Sequence, residues 1–385
     1  MLDDICELTG YCRDYARKKL RAAGNTSYKP QRKKYRRRKY SKESEVLLAN
    51  VWALSGNACG QYFVEQVNAG VLERLINNNR LHHGIKNTGK LATLEDPEIE
   101  EIRQMSSATI DRYLSDFKKS LEPLSKSTTK SVKCSLRNEV PFGKSSAHSD
   151  TIGYLSTDTV AHCGESLKGD HLWTLNSTDT ASGWTETETV ISKAAENIKN
   201  AQIDVLQRFP FDVKGINYDG GSEFINRTLI DYNAMQDYIM TRSRPYKKND
   251  NCHVEQKNNE IVRRYAFRYR YSGQEAMDTL NELWEAVNFR KNYLLPTKKC
   301  IGHTKTKSGR TRGIYDKPKS PAQRLIDSDV LTDEKRQEIK ETLMNADDAY
   351  VTRRILLLQQ KLILLAQDGT LIKYAEEVLE MLDAA

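Results

Sequence analysis

The sequence predicts an α/β core, a five-stranded mixed sheet with helices, set between helical segments. Three observations predict it. From residue 151 onward, β-prone stretches take turns with stretches of helical periodicity, in the order three strands, helix, strand, helix, strand, helix. Upstream, 41–119 carries helical periodicity alone, and downstream 331–384 does so again. A chain of 385 residues also exceeds one ordinary core and calls for two or three domains.

Within the core, Tyr154–Ala161 alternates and forms the first strand. Leu172–Asn176 and Trp184–Val190 are the second and third, with Ala181-Ser182-Gly183 as the turn between them. Lys193–Arg208 is a helix, because Ile198, Ala201, Val205 and Leu206 recur at helical spacing. Phe211–Tyr218 is the fourth strand and ends at Asp219-Gly220-Gly221. Phe224–Met235 is helical, Tyr238–Arg242 is a short fifth strand, and Pro245–Asn251 is a polar loop. A long helix runs from His253 to about Tyr269, and another spans 274–295. This is the element order of the RNase H-like fold. The segment 297–320 is basic and turn-rich, with Lys298, Lys299, Lys305, Lys307, Arg310, Arg312, Lys317 and Lys319.

The flanks divide as follows. Residues 1–27 outline a partial helix-turn-helix: Leu2, Ile5 and Leu8 make a small apolar face, Thr9-Gly10-Tyr11 is the turn, and Cys12–Leu20 is basic. Residues 28–40 are a basic linker. Residues 41–120 are a helical domain, with helices at Ser44–Leu54 and Gln61–Leu75. Asp96-Pro97 opens a helix over Glu98–Gln104. Met105-Ser106-Ser107 then turns the chain into Ala108–Lys119. That pair reads either as a DNA-reading helix-turn-helix, with Ser107, Thr109 and Arg112 facing DNA, or as an αα-hairpin that only packs. Residues 121–150 are a Ser/Thr/Lys-rich linker in which Pro141-Phe142 is a short anchored piece. The core is 151–326, and 327–385 is a helical C-terminal region. In that region Ile355–Leu358 and Leu362–Leu365 repeat at seven, fitting either a helix packed on its own domain or a subunit interface.

Hydrophobic content of 38% and charged content of 29% exclude a membrane-embedded chain, and no run approaches about 18 apolar residues. Met1-Leu2-Asp3-Asp4 carries acid where a secretory leader carries base, so the reading is cytoplasmic. Seven scattered cysteines, none at C-x-x-C spacing, read as thiols in a reducing compartment. His82-His83, His162-Cys163 and Cys252-His253 lack ligand spacing, so zinc is not expected. Net charge is +8. Between Lys29 and Lys39 lie eight cations, Arg36, Arg37 and Arg38 among them, with tyrosines interleaved and no acid. Such a run is an extended tether that neutralises phosphates, or a solvated linker.

Three carboxylates carry the chemistry. Asp158 lies in the first strand, Asp219 caps the fourth, and Glu255 opens the long helix. Each alone is explained by structure: a strand cap, a turn residue before glycine, an acid at a helix N-terminus. Together they fall at the middle of one sheet, where three clustered acids repel unless cations neutralise them. Oxygen-only ligation suits two Mg²⁺ or Mn²⁺ ions.

The flanks of these acids resemble the catalytic core of the DDE transposases and retroviral-type integrases, including bacterial insertion-sequence transposases. Between Asp219 and Glu255 lie 35 residues, the interval that family shares. "YDGGSEFIN" is similar to its second-aspartate motif and "NCHVEQKNNEIVRR" to its glutamate helix. "LSTDTVAHCG" resembles the first-aspartate strand and "TDTASGWTETE" the hairpin after it. "RSRPYKKND" and "YDKPKSPAQRL" resemble the segments that flank the glutamate helix and close the core. The chain departs from the pattern at Gly220, where Asn is usual, and at Asn259, where Trp is common.

The resemblance implies a homo-oligomeric transposase or integrase that cuts DNA at an element end and joins the freed 3′-hydroxyl to target DNA. Asp158, Asp219 and Glu255 are then both catalytic and metal-holding. Arg242, Arg244, Lys247 and Lys248 precede the glutamate helix, and Lys257, Asn259 and Arg263 lie on it; all are expected on the DNA backbone. Asn259 and Arg263 are expected to share the Glu255 face. Two other classes fit the same residues: a helix-turn-helix DNA-binding protein without catalysis, and a structure-selective nuclease of this fold. Asp179, the acid nearest in kind to Asp158, is expected in the second strand pair, away from metal.

Overall fold

The computed structural model describes residues 2–9, 11–24, 39–84, 89–115, 140–143, 148–164, 166–219, 221–243, 258–305 and 311–366. The chain divides into two compact units, Met1–Tyr40 and Ser41–Ala385. In the first, α1 (Leu2–Thr9) and α2 (Arg13–Gly24) pack on each other. Tyr11 and Tyr15 meet edge to face at 4.8 Å between ring centres.

The second unit opens with five helices: α3 (Lys42–Leu54), α4 (Gly60–Asn68), α5 (Val71–Asn77), α6 (Pro97–Arg103) and α7 (Ser107–Tyr113). Ser41 caps α3 by accepting from the Ser44 amide. The single helix expected over Gln61–Leu75 is two helices. Gly70, at φ +83°, takes the left-handed conformation that breaks the first and starts the second. The α7 helix docks on α4 through a close approach: a Cβ at Gly60 would stand 2.3 Å from the Ser107 carbonyl oxygen. Asp111 accepts from the Gly60 amide at 2.9 Å.

The sheet comprises β1 (Tyr154–His162), β2 (Leu172–Asp179), β3 (Thr185–Val190), β4 (Gly215–Tyr218) and β5 (Ile239–Arg242), in the order β3-β2-β1-β4-β5. The β1–β2 and β2–β3 pairs are antiparallel; β1–β4 and β4–β5 are parallel. It is a mixed five-stranded sheet with helices, the α/β order that the sequence predicts. Helix α8 (Ala195–Gln207) joins β3 to β4, and α9 (Arg227–Met235) joins β4 to β5. Beyond β5 the chain adds Phe142 as a bridge to Arg242, with the Arg242 amide donating to the Pro141 carbonyl at 2.9 Å.

Each sheet face has its own core. Leu155, Leu175, Ile216 and Tyr218 point to the side packed by α8, α9 and α11 (Pro321–Ile326). Val160 and Leu172 point to the other side, against Ile261, Val262, Leu280, Trp284 and the C-terminal helix. Because side chains alternate, Asp158, Asn176 and Asp219 fall on this second face. A π-helical segment, Asn258–Arg263, crosses it, followed by α10 (Gln274–Phe289) and a second π-helical segment, Arg290–Leu294. The expected helix to Tyr269 stops earlier: the last helical bond runs from the Ala266 amide to the Val262 carbonyl, and Phe267 adopts φ +60°.

In 297–320, read as turn-rich, the chain forms an antiparallel hairpin, β6 (Cys300–Lys305) and β7 (Thr311–Tyr315). Then come α12 (Asp333–Met344) and α13 (Asp348–Leu365). Buried Ile355, Leu358 and Leu362 turn α13 onto the second core, while Leu356 and Leu357 are exposed. Arg74 of α5 meets buried Asp348 at 2.6 Å, and Arg80 meets Asp347 at 2.9 Å, tying the N-terminal helices to α13. The described cysteines are free thiols, and among the described residues no helix is long and apolar enough to cross a membrane.

Candidate active site

Strands β1 and β4 run parallel, with Thr157 opposite Tyr218. One step further along both chains puts Asp158 beside Asp219. Neither is fully buried, yet little water reaches the Asp158 carboxyl. Burial, then the charge of Asp219, pushes that carboxyl up to about 7. Hydrogen bonds from the Thr159 amide to Oδ1 and from Asn258 Nδ2 to Oδ2, both 2.7 Å, pull the other way.

Asn258 is itself held. Its Oδ1 accepts from Asn176 Nδ2 at 2.7 Å, and Asn176 sits across the strand pair from Asp158. Asn176 is fully buried, and its own Oδ1 has no hydrogen-bond partner among the described residues. The chain Asn176–Asn258–Asp158 therefore fixes which way the Asn258 amide faces and aims its NH₂ at the carboxylate. Burial and Arg268 hold the half-buried Arg263 below its ordinary range, while the charge of Asp158 acts against them.

A third carboxylate reaches this end of the sheet. Glu223, in the turn after Asp219, accepts from Thr159 Oγ1 at 3.1 Å and pairs with Lys193. Lys193 in turn lies 4.0 Å from the centre of the Trp173 ring. Glu223 raises Asp158 slightly, but Lys193 largely answers its charge.

The structure places the expected residues unequally. It brings Asp158 and Asp219 together. Glu255, Arg36, Arg37, Arg38, Arg244, Lys247, Lys248 and Lys257 lie outside the described residues. On the π-helical segment it is Asn258 that reaches Asp158, whereas Asn259 is exposed. Arg242 does not face outward as expected: it is buried, donates from Nε to the Val140 carbonyl at 2.8 Å, and stacks 3.8 Å from the Phe142 ring centre. Ser107 and Thr109 are half-buried at the start of α7, and Arg112 is exposed beside Tyr113. Asp179 lies on the opposite sheet face, across from Leu155 near the start of β1, bound by the Gly153 amide (2.9 Å) and by the Ser182 amide and hydroxyl (2.7 and 2.6 Å).

Asn258, Asn176, Glu223 and Lys193 were not singled out from the sequence. Glu223 stood in plain view inside "YDGGSEFIN"; the asparagines carry no signal until the sheet aligns them. Among the described residues no group of three or more His, Cys, Asp or Glu is poised to hold a metal. The side chains present nevertheless fit a hard divalent cation: two adjacent carboxylates supply oxygen ligands, and one of them is raised by burial and by the charge of the other, which a cation would offset.

No family model matches the chain. The uncharacterized protein y4rM of Sinorhizobium fredii (strain NBRC 101917 / NGR234) is 31% identical over 306 residues, covering 79% of this chain and 83% of that protein. Among solved structures, the catalytic core domain of BIV integrase is similar with 17% identity and a TM-score of 0.25, over 30% of this chain and 69% of that one.

Proposed function

The chain belongs to the family of the uncharacterized protein y4rM of Sinorhizobium fredii, and we propose that it is a metal-dependent polynucleotidyl transferase, a DNA transposase or integrase of the DDE class. The observation that carries this reading is the pair Asp158–Asp219, set side by side one step past the parallel pairing of β1 with β4, at the middle of the sheet. Two neighbouring acids, with the Asp158 carboxyl raised by burial and by the charge of Asp219, support a cation site in this reading.

In this reading Asp158, Asp219 and Glu255 hold two Mg²⁺ or Mn²⁺ ions. When bound, the ions supply Lewis-acid neutralisation of an in-line phosphoryl transfer. The protein's own part is positioning. Asn258 fixes the Asp158 carboxylate from one oxygen and the Thr159 amide from the other. Lys193 keeps Glu223 paired and out of the carboxylate cluster. The half-buried Arg263, on the same π-helical segment as Asn258, is the cation this reading assigns to a phosphate. Double-stranded DNA, as element end and as target, is the substrate. Ser107, Thr109 and Arg112 of α7 and the basic run with Arg36, Arg37 and Arg38 are its further contacts, and at least a dimer pairs two ends.

The test uses supercoiled plasmid bearing the sequences that flank the gene, with Mg²⁺. Strand-transfer products are expected from the wild type and none from Asp158→Asn, while DNA binding persists. Transfer by Asp158→Asn sinks the assignment. Binding without any cleavage by the wild type would favour the non-catalytic DNA-binding class instead.

A further inference from the structure

The hairpin β6–β7 has no role in the site above. Among the described residues its strands pair only with each other, and they lie outside the five-stranded sheet. Every position on both is exposed or half-exposed. An isolated two-stranded ribbon is marginal in water at best. This one nevertheless carries large apolar groups into solvent: Ile301 is 63% exposed, Ile314 45% and Tyr315 57%.

Its root is firmly built. Thr297 and Lys319 exchange backbone hydrogen bonds at 3.0 and 3.1 Å. Arg324 donates to the Thr297 and Lys319 carbonyls at 2.5 and 2.9 Å. Lys299 donates to the Ser149 carbonyl at 2.6 Å. Asp316, the one acid between Lys298 and Lys319, is spent there as well, accepting from the Lys299 amide at 2.6 Å and from Arg324 at 3.0 Å. Toward the far end the balance is different. Lys305 and Arg312 are exposed and make no ion pair among the described residues. They lie on neighbouring cross-strand pairs, Lys305 opposite Thr311 and Thr304 opposite Arg312. Alternation sends them to opposite faces of the ribbon. The result is a rooted two-stranded ribbon, cationic on both faces, apolar nearer its base and without a free acid.

We propose that the β6–β7 ribbon is a docking surface for duplex DNA, lying in the major groove with Lys305 and Arg312 on the phosphates of its two walls and Ile301 and Ile314 against sugars and base edges. The major groove admits a two-stranded ribbon, and cations on both ribbon faces match the two phosphate walls. The inference rests on the DNA-acting reading above and names a surface that reading does not use.

The experiment measures binding of the full chain to a labelled mixed-sequence duplex by fluorescence anisotropy, between about 50 and 200 mM salt. Lys305→Ala/Arg312→Ala is expected to lower the slope of log K against log salt by about 2, with an affinity loss of about tenfold. The conservative Lys305→Arg/Arg312→Lys should keep the wild-type slope. Lys335→Ala/Lys340→Ala on α12 should also leave it unchanged. An unchanged slope and affinity in the ribbon variant, or an equal fall in the α12 control, overturns the ribbon and leaves the active-site reading standing. Strand transfer by Asp158→Asn does the reverse. A wild type that binds no duplex overturns both.

Discussion

Two aspartates in neighbouring strands, Asp158 of β1 and Asp179 of β2, lie on opposite faces of the sheet and have different surroundings. Burial raises both. Around Asp179 the protein answers the charge: the Gly153 amide and both donors of Ser182 converge on it, and a turn is built by doing so. Around Asp158 the protein adds to the charge, setting Asp219 beside it and Glu223 nearby. A carboxylate surrounded by donors is a structural device. Asp158 also accepts two bonds, from the Thr159 amide and from Asn258, but Asp219 sets like charge beside them.

The comparison can be broken in four ways, the largest effect first. Asp158→Asn or Asp219→Asn should lower Mg²⁺-dependent strand transfer by at least about a thousandfold, as loss of a charge-stabilising group in a site does, with no fall in melting temperature. Gel assay beside thermal unfolding checks it. Asp179→Ala should act the other way. It strands buried donors at about 1–3 kcal/mol each, for a loss on the order of 3 kcal/mol in urea unfolding, while transfer per folded molecule persists. A stable but inactive Asp179→Ala would falsify the division of roles.

Asn258→Ala should cost about 10- to 100-fold in activity, the scale at which groups that orient metal ligands act. Its signature is a raised Mg²⁺ requirement with little change in duplex affinity; an unchanged metal titration would reduce Asn258 to packing. The smallest effect concerns His162, on the Asp158 face of β1. It is buried against Tyr271 and Trp284, donates to or accepts from Thr174 Oγ1 at 2.7 Å, and burial depresses it to about 3. A depressed histidine contributes stability present above the unfolded value near 6.5 and lost as pH falls toward 3. At pH 5 the loss is about 2 kcal/mol. Unfolding followed from pH 7 to 5 should show it, and His162→Leu should flatten that limb.

Strand and helix identities were legible because burial on one or two faces imposes a period on the residues. Boundaries were less so. Gly70 broke a helix that periodicity carried through, and Phe267 entered a left-handed conformation that nothing about phenylalanine announces. The β6–β7 hairpin was missed because neither face of it is buried, so no alternation marks it. Arg242 read as a surface cation because sequence shows its charge but not the Val140 carbonyl and Phe142 ring that receive it.

The sequence by itself determined the order of elements and the candidacy of the acids. Both depend on residue type and spacing, which are local properties of the chain. Tertiary structure alone decided which acids meet and who holds them. The juxtaposition of Asp158 and Asp219 follows from parallel pairing of strands far apart in sequence, and the Asn176–Asn258–Asp158 chain from a π-helical segment laid across that sheet. The direction of a side-chain amide is set by the partners around it, and those partners are brought together only by the fold.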